Sequence, residues 1–290
     1  MKNLVLGTAH FASDYGLLKE VQPTETAIEQ IIETFFDAGQ TLIDTAPAYG
    51  SSEKLLGRIA PKTARYISKI PSIPLSQDPT HFISEICDKS LSNLAAQNLY
   101  GLLLHDPFQL QQPNAQSVAD ALTEIKSQRI ATKIGVSVYN FEQMELALRY
   151  MKLDIIQAPV NLLDRTFCSP EISALAARQN IEFHARSIYL QGTLLKKPND
   201  LPIFFSEWKA QWNSVHRWAK DYFNSDIPRA CFEVVRRFPH IFGAVVGIRS
   251  KQELTRTLAY LEEADSSLPL PPSELIDERI INPTFWPRLT

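Results

Sequence analysis

The chain has 290 residues, 44% of them hydrophobic and 21% charged, with a net charge of −3. That length holds two ordinary domains or one α/β barrel and can bury a large core without staples. The balanced charge, with no long run of one sign, argues against nucleic acid or an anionic membrane as the main partner. Cys87, Cys168 and Cys231 are odd in number and widely spaced, which fits a reduced cytoplasmic protein better than a disulfide scaffold. The opening MKNLVLGTAHF has too short an apolar run for a signal peptide, and no apolar run suggests a membrane-spanning helix.

In chain order, Leu4 to Thr8 reads as a buried strand, followed by the polar and aromatic loop HFASDYG. Pro23-Thr24-Glu25 opens a helix whose apolar face is Ile28, Ile31, Ile32, Phe35 and Phe36, and Gly39 stops it. Strand 41–44 ends in Asp44; Tyr49-Gly50 forms the turn behind it, and a helix begins near Ser51. Further short apolar strands are expected at 66–69, 99–105, 133–137, 154–159, 182–186 and 244–247, with helices at 78–93, 114–128, 140–150, 169–179 and 250–263. Strands and helices in this alternation predict an α/β fold, a (β/α)8 TIM barrel forming a single domain over 1–290. An open doubly wound sheet would need a glycine-rich loop after the first strand, and GTAHFAS is not GxGxxG. An aromatic-rich insertion lies at about 196–228 and a tail at about 265–290. The tryptophans at 208, 212 and 218 have roughly helical spacing and read as packing. Phe204, Phe205 and Trp286 are candidates to line or close a pocket, and Arg236-Arg237 reads as the solvated end of a helix.

Barrel sites lie at the C-terminal ends of the strands. Here those ends are Thr8, Asp44, Lys69, His105, Ser137, Gln157, Arg186 and Gly247. Asp44, Tyr49, Lys69 and His105 come from neighbouring strands. A phenol near pKa ~10 is a poor acid and base at neutral pH. A lysine beside it would lower that value, a carboxylate would hold the lysine, and a histidine would orient the same substrate oxygen. Taken singly, Asp44 suits a turn or cap and His105 a structural histidine; in register they suit interconversion of a carbonyl and an alcohol. The hydride must then come from a nicotinamide cofactor. Ser137, Gln157 and Asn161 suit its carboxamide, and Arg186 its flat ring. The six histidines show no metal-ligand spacing.

These segments resemble the aldo-keto reductase superfamily, in the style of its short bacterial members. LIDTAPAYGSSEKLLG is close to that family's second-strand signature, while SKIP and LLLHDP sit where it keeps a lysine and a histidine. LGTAHFASDYG, GVS, IIQAPVN, ARSIYLQGTLL and VVGIRSKQEL are similar to its first-strand and cofactor-facing segments. The resemblance implies Tyr49 as proton donor, Lys69 and Asp44 tuning it, and His105 orienting the carbonyl. It also implies a cofactor site drawn from Thr8, Ser137, Gln157, Asn161, Arg186, Ser187, Gln191, Gly192, Leu194, Gly247, Arg249 and Ser250. The cofactor implied is NADP(H), with NAD(H) left open, and the substrate a small aldehyde or ketone, a sugar derivative among the candidates.

The chain also departs from the family. Val138 stands where asparagine is common, Gly247 where a lysine often meets the 2′-phosphate, and Glu253 where arginine is frequent. Arg249, Ser250 and Lys251 could replace the missing charge. His10 and Ala12 differ from the usual glutamine and glycine of the first loop. Rival readings are a nicotinamide-binding regulatory protein with little turnover and a non-redox barrel enzyme, an epimerase or lyase.

Overall fold

The computed structural model describes residues 3–12, 21–262, 268–272 and 277–287. Ser13 to Gly16 of the first loop and parts of the tail lie outside the described residues. Eight parallel strands close into a barrel in sequence order: β1 (Asn3–Gly7), β2 (Leu42–Asp44), β3 (Arg65–Ile70), β4 (Leu99–Leu104), β5 (Ala131–Ser137), β6 (Ile155–Pro159), β7 (Glu182–Arg186) and β8 (Ile241–Gly247). The outer ring holds α1 (Glu25–Asp37), α2 (Ser52–Ile59), α3 (Pro79–Leu94), α4 (Ala115–Ser127), α5 (Phe141–Tyr150), α6 (Pro170–Gln179), α7 (Lys209–Phe223), α8 (Ile227–Arg236) and α9 (Lys251–Glu262). A short α10 (Glu278–Ile281) lies in the tail.

Side chains alternate across a strand, and this alternation builds both core and site. Val5, Leu42, Ile67, Leu103 and Ile155 form one buried cluster with Val245 packed against it. Two residues further along each of these strands come Gly7, Asp44, Lys69, His105, Gln157 and Gly247. The same parity therefore fills the barrel with hydrocarbon and puts the polar set at its mouth. The opposite parity packs outward. Ile28, Ile31, Ile32 and Phe35 of α1, for instance, join the layer between helices and sheet, at ~1.5–3 kcal/mol for each large apolar side chain buried.

Caps fix where the helices start. Thr24 accepts from Ala27 N, Asp78 from His81 N, Asn140 from Gln143 N and Asp226 from Arg229 N, each capping worth roughly 1 kcal/mol. The helix end expected at Arg236-Arg237 is the end of α8, whose start the sequence did not mark. Arg237, which follows it, is not solvated as expected: its side chain is 12% exposed and pairs with Glu233 at 3.6 Å. Arg236 donates to Tyr260 O.

The lower end of the barrel is closed by charge. Tyr100 donates to Glu182, Lys133 pairs with Glu182, and His184 lies 3.3 Å from the same carboxylate. Arg65 stacks over the Tyr100 ring at 4.0 Å, and Phe242 stacks on His184 at 5.1 Å.

Trp212 is fully buried and donates to Thr193 O. Trp286 does not close the mouth. It is 8% exposed, meets Phe205 edge-on at 5.0 Å, and donates to Arg279 O. Phe204 and Phe205 also pack away from the mouth cavity, because their rings are engaged with Trp208 and Trp212.

Candidate active site

The site is organised by the turn after β2. Gly50 has φ +61, and a Cβ there would lie 2.2 Å from the Ala12 carbonyl oxygen. Only glycine lets the turn press against the first loop at this angle. Ser52 Oγ donates to Thr8 O, and Thr8 Oγ1 donates to Asp44 O, so α2 and the ends of β1 and β2 are tied together. Glu53 is 3% exposed. It accepts from Ser68 Oγ at 2.9 Å and from Asn93 at 3.3 Å, which locks α2 to β3 and α3.

Within that frame Lys69 Nζ donates to Asp44 Oδ1 at 2.5 Å and to Thr45 O at 3.1 Å. Gln157 Nε2 donates to Asp44 Oδ2 at 2.8 Å. Both carboxylate oxygens are therefore used, and Lys69, 1% exposed, is neutralised in place. Its ammonium lies 5.1 Å from the centre of the Tyr49 ring. His105 meets that ring edge-on at 6.3 Å. The structure thus gathers Asp44, Tyr49, Lys69 and His105 at one point of the barrel mouth.

The electrostatics differ from the sequence expectation in one respect. The Tyr49 phenol is pushed up from its ordinary value, first by burial and then by the Asp44 carboxylate; the Arg186 guanidinium pulls the other way. Tyr49 is held as the neutral phenol. His105 is lowered to about 4, by burial first and the Lys69 charge second, and is a neutral imidazole near pH 7. Such a pair can donate to a substrate oxygen without carrying net charge into the site.

A cavity opens above this group and runs across the mouth. Its wall includes Thr8, Asp44, Tyr49, Gln157, Arg186, Ser187, Gln191, Gly192, Gly247 and Arg249, all expected from the sequence. It also includes His10, Ile188, Tyr189, Leu195 and Glu253. His10 and Glu253 were visible in the sequence only as departures from a motif; the other three carried no signal.

Lys69 and His105 are not among the wall residues, and neither are four residues expected at the cofactor. Ser137 accepts from Arg186 Nε at 3.2 Å. Asn161 is fully buried, donating to Ser187 O and accepting from Leu163 N and Asp164 N. Leu194 is buried in the core, and Ser250 Oγ accepts from Glu253 N. These four hold the wall rather than form it.

Arg186 is fixed by Ser137, Ser187 and Val138 O, and stacks over Tyr139 at 4.1 Å. The loop beyond it is strained: Ser187, Leu190 and Gln191 have φ of +55, +47 and +50, ahead of Gly192 at +84. Positive φ at three non-glycine residues in one short loop is a mark of functional segments. Among the described residues no group of His, Cys, Asp and Glu is placed to hold a metal ion, and no helix is long and apolar enough to cross a membrane.

A closed parallel barrel with a polar, acid–base-equipped mouth defines a (β/α)8 enzyme scaffold. The model of the Aldo/keto reductase family matches residues 3–265. The chain belongs to that family, and membership supports an oxidoreductase. It is 29% identical over 156 residues to the aldo-keto reductase YhdN of Bacillus subtilis strain 168, a match covering 49% of this chain and 45% of that protein. The chain thus spans less than half the length of this curated relative. Among solved structures it resembles the aldo-keto reductase AKR11C1 from Bacillus halodurans in its holo form, with TM-score 0.70, 17% identity, and coverage of 90% and 87% of the two chains. It also resembles the glycerol dehydrogenase AKR11B4 from Gluconobacter oxydans, with TM-score 0.66, 21% identity, and coverage of 88% and 85%. At these identities the structural likeness speaks to the fold.

Proposed function

We propose that the chain is a nicotinamide-dependent oxidoreductase of the cytoplasm that reduces an aldehyde or ketone, a sugar derivative among the candidates, to an alcohol. One observation carries this reading: a neutral phenol, Tyr49, stands in the cavity wall beside a neutralised Lys69–Asp44 pair and edge-on to a neutral His105.

The donor set fits a nicotinamide dinucleotide. Gln157 and Ser187 at the Tyr49 end suit a carboxamide, and the guanidinium groups of Arg186 and Arg249 suit a pyrophosphate. The bound cofactor would supply the two-electron reducing equivalent. The resemblance favours NADP(H).

The chain's own residues would do the rest. Tyr49 gives its proton to the carbonyl oxygen. His105 donates to the same oxygen and orients it. Lys69 stays fixed by Asp44, so that the cation is in place when negative charge develops on the phenol oxygen. Asp44 in turn is held by Gln157. A general acid of this kind contributes about 10²–10⁴-fold.

The test is Tyr49→Phe, which removes one oxygen. Dinucleotide binding should survive and carbonyl reduction should fall by roughly 10²-fold or more. Wild-type reduction by Tyr49→Phe would sink the assignment. A single-turnover measurement with bound reduced dinucleotide and a panel of aldehydes separates an enzyme from a binding protein that does not turn over.

A further inference from the structure

The cavity has two chemically different ends. One holds Tyr49, Asp44 and Gln157; the other reaches the start of α9, where Arg249 and Glu253 line the wall. An acid is an unexpected group in the wall of a site read as holding an anionic dinucleotide.

Glu253 is half-buried. Its Oε2 accepts from Arg249 N at 2.8 Å, and its own N–H donates to Ser250 Oγ at 3.1 Å. A helix start ordinarily offers such N–H groups to a phosphate. Here two of them are already satisfied by side chains of the same turn. A phosphate placed at this end would have to displace those bonds and also face the carboxylate.

We infer that the chain selects the dinucleotide lacking a 2′-phosphate, NAD(H), and that Glu253 is the selecting residue. This rests on the proposed nicotinamide dependence and reverses the preference for NADP(H) that the resemblance implies. A carboxylate accepts hydrogen bonds from the hydroxyls of a ribose. It repels a phosphate monoester, which carries about −1.5 to −2 charges near neutrality. Two cations are nearby. Arg249 lines the same cavity, but both dinucleotides carry the pyrophosphate that a guanidinium would meet, so it does not discriminate by itself. Lys251 is exposed and lies outside the cavity wall.

The bland alternative is that Glu253 only closes the first turn of α9. Ser250-Lys251-Gln252-Glu253 has the S-x-x-E form of a capping box, in which glutamine serves as well as glutamate. Glu253→Gln therefore keeps the cap and removes the charge, so one substitution separates the two roles.

The experiment is calorimetric titration of the wild type and of Glu253→Gln with NADH and, separately, NADPH, reading affinity and not turnover. The wild type should bind NADH at least about tenfold more tightly than NADPH, the scale of one charged hydrogen bond. Glu253→Gln should bring the two within about threefold, mainly by tightening NADPH. Glu253→Asp, which keeps the charge, should keep the preference even if the cap weakens. Equal or tighter NADPH binding by the wild type, or a preference unmoved in Glu253→Gln, would overturn the inference while leaving nicotinamide dependence standing. If neither dinucleotide binds the wild type, the functional reading falls and this inference with it.

Discussion

Removing the Asp44 carboxylate should destabilise the protein as well as impair its chemistry. Lys69 is 1% exposed, and its ammonium is held by Asp44 at 2.5 Å with the Thr45 carbonyl, among the described residues, as its second acceptor. Asp44→Asn keeps the shape and leaves that ammonium without a counter-charge. Breaking one side of a buried pair costs about 3–5 kcal/mol, against a total stability of roughly 5–15 kcal/mol. Unfolding entropy of about 2.1 cal/mol/K per residue, taken over 290 residues, converts this to a Tm lower by about 5–8 °C. Thermal unfolding followed by circular dichroism reads it directly. The double variant Asp44→Asn with Lys69→Met should recover most of the loss, because no buried charge then lacks a partner. An Asp44→Asn Tm within about 1 °C of wild type would refute the account of the pair.

Gly50→Ala should cost more than about 2 kcal/mol and at least tenfold in carbonyl reduction, since the new Cβ meets the Ala12 carbonyl at 2.2 Å with φ at +61. Gly39→Ala is the control: its φ is +73 but nothing lies within 4 Å, so only the backbone term of ~1–2 kcal/mol applies; equal losses in unfolding free energy would refute the steric argument. His10, 6% exposed, is lowered to about 4 by burial, with its bond to Ile248 O opposing. Its folded pKa lies below its unfolded value, so it contributes stability that is present above pH 6.5 and lost as pH falls toward 4. Denaturant titrations at pH 7 and pH 5 should differ by about 2 kcal/mol from this group, and a flat profile would contradict its burial as a neutral ring. Because burial and Asp44 push Tyr49 up, ultraviolet titration of tyrosinate should be the same for wild type and Tyr49→Phe below pH ~10; an extra early step in the wild type would show a phenol drawn down instead.

The barrel was legible because each strand is a short apolar run bounded by turn residues, and because alternation carries polar residues such as Lys69 and Gln157 to one end. The second-strand signature exposed Asp44 and Tyr49 in the same way. What could not be read was which groups take each other as partners. That Gln157, read as a carboxamide ligand, also holds Asp44 through its Nε2 carried no signal in the sequence. Asn161 looked similar and is spent on backbone. Nothing in the sequence singled out Glu53, although it anchors α2 to Ser68 and Asn93. The direction of the Tyr49 shift was misread because burial, which the sequence does not display, weighs first on the phenol and the Asp44 carboxylate adds to it. Phe205 and Trp286 were read as candidates to line or close a pocket and instead pack edge-on against each other.

The charged closure at the lower end of the barrel has a consequence for proton supply. Tyr100, Lys133, Glu182 and His184 bar that opening, and above them Val5, Ile67, Leu103 and Ile155 are wholly shut off from solvent. These hydrocarbon side chains offer a chain of water no hydrogen-bond partner. On the proposed mechanism, each proton given up by Tyr49 would be replaced from the mouth, where the cavity lies. Reloading the acid would then share the mouth with substrate entry and product departure, and solvent isotope effects on turnover should report on that shared route.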